Sequence, residues 1–164
     1  HIIHQGVMKI TLFFGAGNFA EILGIHHIRE MDGVGRRMPL TMAAFSVGAL
    51  GMIGAPPLAG FVTKWYLGLG ALEADRPWII AVLAASSALN ALYFLPVVYR
   101  AWFRVPATGQ WRDQGRAGTL EARWTLLLPP VFTAVGALGV GVLAGMDLSP
   151  LSWAQLVAAR AYAP

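Results

Sequence analysis

The sequence predicts an all-α membrane protein, a polytopic helix bundle of four spans. Hydrophobic residues make up 57% of the 164 residues and charged residues only 12%, whereas an ordinary soluble domain has about 25% charged residues. Four long apolar segments approach the roughly 20 residues that a helix needs to cross a bilayer. Strands in a membrane form closed barrels with alternating polar and apolar residues, so this composition favours helices.

The predicted spans cover residues 1–23, 38–72, 77–103 and 124–145. The first is interrupted by Lys9, and the third has no charge before Arg100. We expect residues 1–146 to form one transmembrane domain and residues 147–164 to form a C-terminal tail. The apolar and basic residues of the tail favour a short amphipathic helix at the membrane interface.

The second predicted span is too long for one straight helix, and it contains the pair Pro56-Pro57 followed about two turns later by Lys64. Proline has no backbone N–H and clashes with the preceding turn, so a helix must break or kink there. Broken backbone at membrane depth is tolerated only where protein or a wet cavity covers it. A charge at the membrane centre costs about 2.5–3.5 kcal/mol on insertion scales and by default indicates an ion or proton pathway.

In the first span, His1, Gln5 and Lys9 are spaced by four residues and therefore share one helical face, with His4 beside this stripe. Burial makes the neutral form of a lysine accessible, and histidine exchanges protons near neutral pH. The stripe is therefore a candidate proton relay. An intramembrane lysine can also extend to the interface, or pair with a carboxylate, without conducting anything.

Polar side chains interrupt the third span at Ser86, Ser87, Asn90 and Tyr93. Ser86, Asn90 and Tyr93 lie roughly on one helical face and could hold water in a proton wire. Hydroxyl and amide side chains also serve as hydrogen-bonding contacts between membrane helices. The sequence leaves both interpretations open.

Arginines are concentrated in the connections at residues 24–37 and 104–123, whereas the connection at residues 73–76 has a single arginine. The positive-inside rule places the arginine-rich connections in the cytoplasm, so Lys64 would lie in the outward half of its span. The basic residues of the two connections, with Arg100 just before the second, are Arg29, Arg36, Arg37, Arg100, Arg104, Arg112, Arg116 and Arg123.

Several kinds of chemistry have no support in the sequence. The absence of cysteine excludes disulfides and thiolate sites. His26 and His27 lie in a polar loop next to Glu30 and Asp32. Adjacent histidines do not easily bind one metal through the same face and no third ligand is placed, so we expect no metal site. No nucleophile triad, paired carboxylates or redox-cofactor signature is present, and we expect no cofactor in this chain. The net charge of +4 is attributed to the basic loops, and we expect no nucleic-acid partner.

Three stretches resemble the antiporter-like membrane subunits of NADH:quinone oxidoreductase, or respiratory complex I, and the large subunits of Mrp-type Na⁺/H⁺ antiporters. In chain order they are HQGVMKITLFFGAG, GVGRRMPLTMAAFSVGALGMIGAPPLAGFVTKW and SSALNALYFLPVVYRAWF. The resemblance covers residues 1–104 and implies that this fragment corresponds to the eleventh to fourteenth spans of a subunit of about fourteen.

The resemblance implies roles for particular residues. His1 and Lys9 match the family's histidine–lysine stripe, and Pro56, Pro57 and Lys64 match its discontinuous twelfth span. Where the family commonly has a second histidine, this chain has Gln5, which cannot take up a proton. His4 or water would then have to substitute for the missing imidazole.

The implied function is proton translocation by a subunit of an NADH:quinone oxidoreductase-type complex of a respiratory chain, in the bacterial inner membrane. The implied partners are other membrane subunits, the lipid bilayer and protons, with redox chemistry confined to other subunits. One alternative is an Mrp-type subunit that exchanges sodium or another monovalent cation for protons. Another is a non-conducting scaffold in which both lysines pair with carboxylates of partner subunits.

Overall fold

The chain folds as a bundle of helices in a computed structural model that describes residues 2–106, 111, 121–144 and 150–161. No strand occurs among these residues, which confirms the all-α prediction. A 3₁₀ turn at Ile28–Met31 lies in the connection between the first two α-helices. The α-helices are α1 (Ile2–Leu23), α2 (Val34–Arg37), α3 (Pro39–Ile53), α4 (Ala59–Glu73), α5 (Trp78–Phe103), α6 (Trp124–Val142) and α7 (Pro150–Ala161).

Helices α1, α5 and α6 are long and apolar enough to cross a membrane. Helices α3 and α4 have 15 residues each, so each is about 22 Å long, short of the roughly 30 Å hydrocarbon core. Residues 54–58, which include Pro56 and Pro57, separate them. Two of the predicted spans, residues 1–23 and 77–103, agree with the helix bounds to within one residue.

The arginine-rich connections meet at one end of the bundle. The Gly33 N–H donates to the Arg100 carbonyl at 3.1 Å, and the Arg100 Nε donates to Asp32 Oδ1 at 2.7 Å. The indole Nε1 of Trp111 donates to the Glu30 carbonyl at 2.8 Å. The connections before α3 and after α5 therefore lie on the same side, as alternating crossings require.

The main apolar cluster lies at this same end, where α1, α3 and α5 meet the connection after α1. Its side chains are buried and fix the relative positions of these helices. The cluster consists of Phe19, Ile22, Leu23, Ile25, Met31, Val34, Met38, Met42, Phe45, Val97 and Ala101.

Polar contacts fasten α1 to α6 in the middle of the bundle. Pro130 has no N–H for the Leu126 carbonyl four residues earlier, and Asn18 Nδ2 donates to that carbonyl at 2.8 Å. Two turns further along both helices, Thr11 Oγ1 lies 2.8 Å from Thr133 Oγ1. The bond from Asn18 satisfies a backbone carbonyl that would otherwise be left unpaired in a membrane.

Candidate functional site

The connection between α3 and α4 leaves two carbonyl groups without backbone donors. Met52 and Ile53 lie four residues before Pro56 and Pro57, whose ring nitrogens carry no hydrogen. The next backbone donor after the prolines, the N–H of Leu58, donates to the Ala55 carbonyl at 3.0 Å. The carbonyls of Met52 and Ile53 are therefore open to side-chain donors, as the last carbonyls of a helix usually are.

Lys64 supplies the missing donors from the second turn of α4. Its Nζ donates to the Met52 carbonyl at 3.1 Å and to the Ile53 carbonyl at 2.9 Å. A third bond, at 2.7 Å, goes to the hydroxyl oxygen of Ser87 on α5. An ammonium group has three donors, and here all three are used. The site therefore fits the charged lysine, and it also fits a neutral amine, whose two N–H groups would donate to the carbonyls while its nitrogen accepts from the Ser87 hydroxyl.

The other polar residues of α5 are placed differently. Ser86 is exposed, and its carbonyl accepts from Asn90 Nδ2 at 2.8 Å. Tyr93 is exposed and lines a cavity next to Lys9. Ser87 is thus the α5 hydroxyl in contact with Lys64, although the shared face of Ser86, Asn90 and Tyr93 is the feature that stands out in the sequence.

A cavity of about 450 Å³ extends from Lys64 toward the end of the bundle where α4 leads into α5. Lys64 and Ser87 lie at its inner part, and Leu72 and Ile80 lie toward the bundle end. Its lining is mostly apolar and aromatic. The complete set of lining residues is Gly54, Phe61, Lys64, Trp65, Gly68, Leu69, Leu72, Ile80, Leu83, Ala84 and Ser87.

Lys9 lies on the exposed side of α1 and lines a second cavity, of about 550 Å³. This cavity extends to His26 and His27 in the connection after α1, at the arginine-rich end. Met52 also lines it, and the carbonyl of Met52 binds Lys64. The last turn of α3 therefore contacts both lysine sites.

His4 lies on the buried side of α1, with 5% of its surface exposed. Neither ring nitrogen has a hydrogen-bond partner among the described residues, although the backbone of Ala59 lies beside the ring. Five residues turn a helix by about 140° beyond a full turn, so His4 and Lys9 face different directions. Gln5 is half-buried, and His1 lies outside the described residues.

Glycines allow three helices to approach closely at the break. A Cβ at Gly60 in α4 would collide with the carbonyl of Gly51 in α3, so the glycine lets these two helices lie in close contact. A Cβ at Gly141 in α6 would collide with the carbonyl of Pro57, which lies in the connection between α3 and α4. Helix α6 therefore packs directly against the backbone of the proline pair.

Charged groups at the arginine-rich end are paired. A hydrogen bond from Arg100, together with its charge, holds the pKa of Asp32 below the ordinary carboxyl value. Backbone N–H groups of His26 and His27 donate to the Glu30 carboxylate and lower the pKa of that group. Among the described residues, no three His, Asp or Glu side chains come together as metal ligands.

The fold and the site define an integral membrane protein with an interrupted helical region and a lysine bound at the interruption. A sequence model of the family described as NADH:quinone oxidoreductase/Mrp antiporter, transmembrane, matches residues 1–90. The chain belongs to this family, as its sequence motifs predict.

Named relatives agree with the family assignment. NADH-quinone oxidoreductase subunit N of Desulforudis audaxviator (strain MP104C) is 36% identical over 148 residues, covering 87% of this chain and 30% of the relative. The subunit of the same name from Dehalococcoides mccartyi (strain ATCC BAA-2100 / JCM 16839 / KCTC 5957 / BAV1) is 27% identical, covering 87% and 27%. Hydrogenase-4 component B of Escherichia coli (strain K12) is 30% identical over 105 residues, covering 58% and 16%. The chain spans less than a third of each of these relatives.

Proposed function

We propose that this chain is the C-terminal part of a proton-translocating subunit of an NADH:quinone oxidoreductase-type complex. The observation that carries the proposal is the binding of Lys64 by three acceptors at the proline break. The family and the names of the relatives support it. The partners would be the other membrane subunits and the bilayer, with redox cofactors in other subunits.

In the proposed topology, α3 and α4 together form one discontinuous span, which gives four spans with α1, α5 and α6. Loops 24–37 and 104–123 would face the cytoplasm of a bacterial inner membrane, because they carry most of the arginines. The cavity beside Lys64 would then lead to the outer side. Discontinuous helices with polar groups at the break are a recurrent feature of ion-transport sites.

In the proposed mechanism, Lys9 and Lys64 exchange protons across the last turn of α3, and Lys64 releases its proton toward the outer side. At an assumed separation of 10 Å and an effective dielectric of 20, two charged lysines repel by about 1.7 kcal/mol. Charging one lysine would therefore favour proton release from the other. His1, His4 and Gln5 would serve the Lys9 side, with water where no imidazole is available.

In this proposal Ser87 holds the ammonium of Lys64, and Asn90 and Tyr93 continue a polar path along α5. The distance of 2.7 Å from the hydroxyl of Ser87 to Lys64 Nζ supports the first part. The position of Tyr93 at the Lys9 cavity supports the second. Water molecules would have to join these groups, since membrane proton transfer needs a continuous chain of donors and acceptors.

A sodium/proton antiporter subunit is the second candidate, because the matching family description includes Mrp antiporters. The same lysines would act, with a different coupled ion. Measurement of sodium uptake alongside proton uptake in the same vesicles would separate the two. A sodium flux that depends on Lys64 would favour the antiporter.

The experiment uses the full-length subunit in its complete complex, in sealed membrane vesicles. Proton uptake and NADH oxidation are followed together in Lys64→Gln and Lys9→Ala, with Arg76→Gln as a control that removes one positive charge from the neighbouring loop. We expect fewer protons per electron in both lysine variants and the wild-type ratio in the control. If neutral replacement of both lysines leaves pumping intact and only loosens the assembly, the subunit is a scaffold.

A further inference from the structure

Helix α3 begins without a cap of its own. Its N-cap residue is Met38, which makes no side-chain capping bond, and its first turn has no acidic residue. The first N–H groups of a helix have no partner within the helix and need an acceptor from elsewhere. Pro39, at the first position, removes one of these donors but leaves those of Leu40 and Thr41.

Glu121 provides the acceptors from just before α6. One carboxylate oxygen accepts the Leu40 N–H at 2.8 Å. The other accepts the N–H and the hydroxyl of Thr41, each at 2.6 Å. Glu121 lies 80 residues from Thr41 in sequence and is 8% exposed, so this carboxylate is buried against the start of α3. Negative charge at this end also complements the helix dipole.

The opposite end of the same helix holds Lys64. The carbonyls of Met52 and Ile53, at the negative end of α3, accept two of the three bonds from its Nζ. Helix α3 thus has a carboxylate at its N-terminus and an ammonium at its C-terminus. An α-helix is stiff along its axis, so the position of the first turn determines where the last carbonyls lie.

We propose that Glu121 is a positioning residue for Lys64, and that it acts through α3. By fixing the first turn of α3 to the segment before α6, Glu121 sets the place at which the Met52 and Ile53 carbonyls meet the ammonium. The inference rests on the proposed role of Lys64 in proton translocation. It adds a link between the arginine-rich end of the bundle and the lysine at the break.

The test compares protons translocated per electron in Glu121→Gln with the wild type, in the complete complex. Glutamine keeps the size but loses the charge, and its NH₂ group faces backbone donors. We expect this ratio to fall to a value between the wild type and Lys64→Gln. The ratio is independent of how much complex assembles, because both flows scale with the amount of complex. Glu73→Gln, which removes an exposed carboxylate at the end of α4, should keep the wild-type ratio.

A second pair of variants separates positioning from general stability. Asn18→Ala removes a buried bond between α1 and α6, so it should lower the unfolding temperature without changing the ratio. Glu121→Gln combined with Ser87→Ala should show a loss that is not the sum of the separate losses, since both changes act on the acceptors of Lys64. Additive losses would mean that Glu121 acts elsewhere.

Thr41→Val covers the case in which Glu121→Gln fails to assemble, because it removes one of the three bonds and keeps the charge. A smaller fall in protons per electron is expected from it. The inference is overturned if the assembled Glu121→Gln variant keeps the wild-type ratio. If only Thr41→Val assembles, a wild-type ratio in that variant overturns it. If Lys64→Gln also keeps the wild-type ratio, the proposed function has failed. If only Lys64→Gln lowers it, the positioning role alone has failed.

Discussion

Replacing Gly141 with alanine should displace α6 from the proline break. A Cβ at this position would overlap the Pro57 carbonyl and lie 2.6 Å from the backbone nitrogen of Ala59. These are backbone atoms between two helices and cannot rotate away as a side chain does. Overpacking of this kind costs about 1–3 kcal/mol, so we expect Gly141→Ala to destabilise the subunit by that amount relative to an alanine that meets no neighbour.

Gly139 offers a matched control two residues earlier in the same helix. A Cβ there would meet nothing within 4 Å, and alanine is about 0.8–1 kcal/mol more favourable than glycine in a helix. Gly139→Ala should therefore be neutral or stabilising. Gly141→Ala gains the same helix propensity, so the two variants should differ by the overpacking cost alone, about 1–3 kcal/mol. The assay is thermal or SDS-induced unfolding of the purified complex. Equal stability of the two alanine variants would refute the close packing of α6 on the break.

Two further predictions follow from hydrogen bonds of the described residues. Ser87→Ala should lower the number of protons translocated per electron, although by less than Lys64→Gln does, and Ser86→Ala should leave that number unchanged. A proton wire through Ser86 predicts the opposite result for the two serine variants. Proton pumping in vesicles distinguishes the two cases. Asp32→Asn should destabilise the complex at neutral pH by breaking the pair with Arg100. Because the pKa of Asp32 is lowered, its contribution is present at neutral pH and lost as the pH falls through that pKa. The difference between Asp32→Asn and wild type should thus shrink below about pH 4 in unfolding measurements, and a constant difference would contradict the pairing.

The spans were the most predictable part of the fold. Long apolar segments bounded by charges or turns locate α1 and α5 to within one residue, because only a helix satisfies so much apolar backbone. The proline pair also marks where α3 and α4 separate. The carbonyls that Lys64 binds follow from the missing N–H groups of Pro56 and Pro57, four residues beyond them.

Contacts between distant helices were not predictable in the same way. Ser86 and Ser87 differ by about 100° around α5, and the sequence does not show which of them turns toward α4. Glu121 lies in a connection dominated by arginine, 80 residues from its partner Thr41. No local pattern marks a cap that comes from another part of the chain, since capping signals are recognised within a few residues of the helix start.

Proton pumping by the complete complex carrying Lys64→Arg tests most directly whether Lys64 gives up its proton. Arginine keeps the positive charge and can donate to the same carbonyls, but it does not release its proton in the pH range of proteins. We predict that the complex assembles, oxidises NADH and translocates fewer protons per electron than the wild type. A wild-type ratio in an assembled complex would show that Lys64 need not give up its proton, and would contradict the proposed pathway.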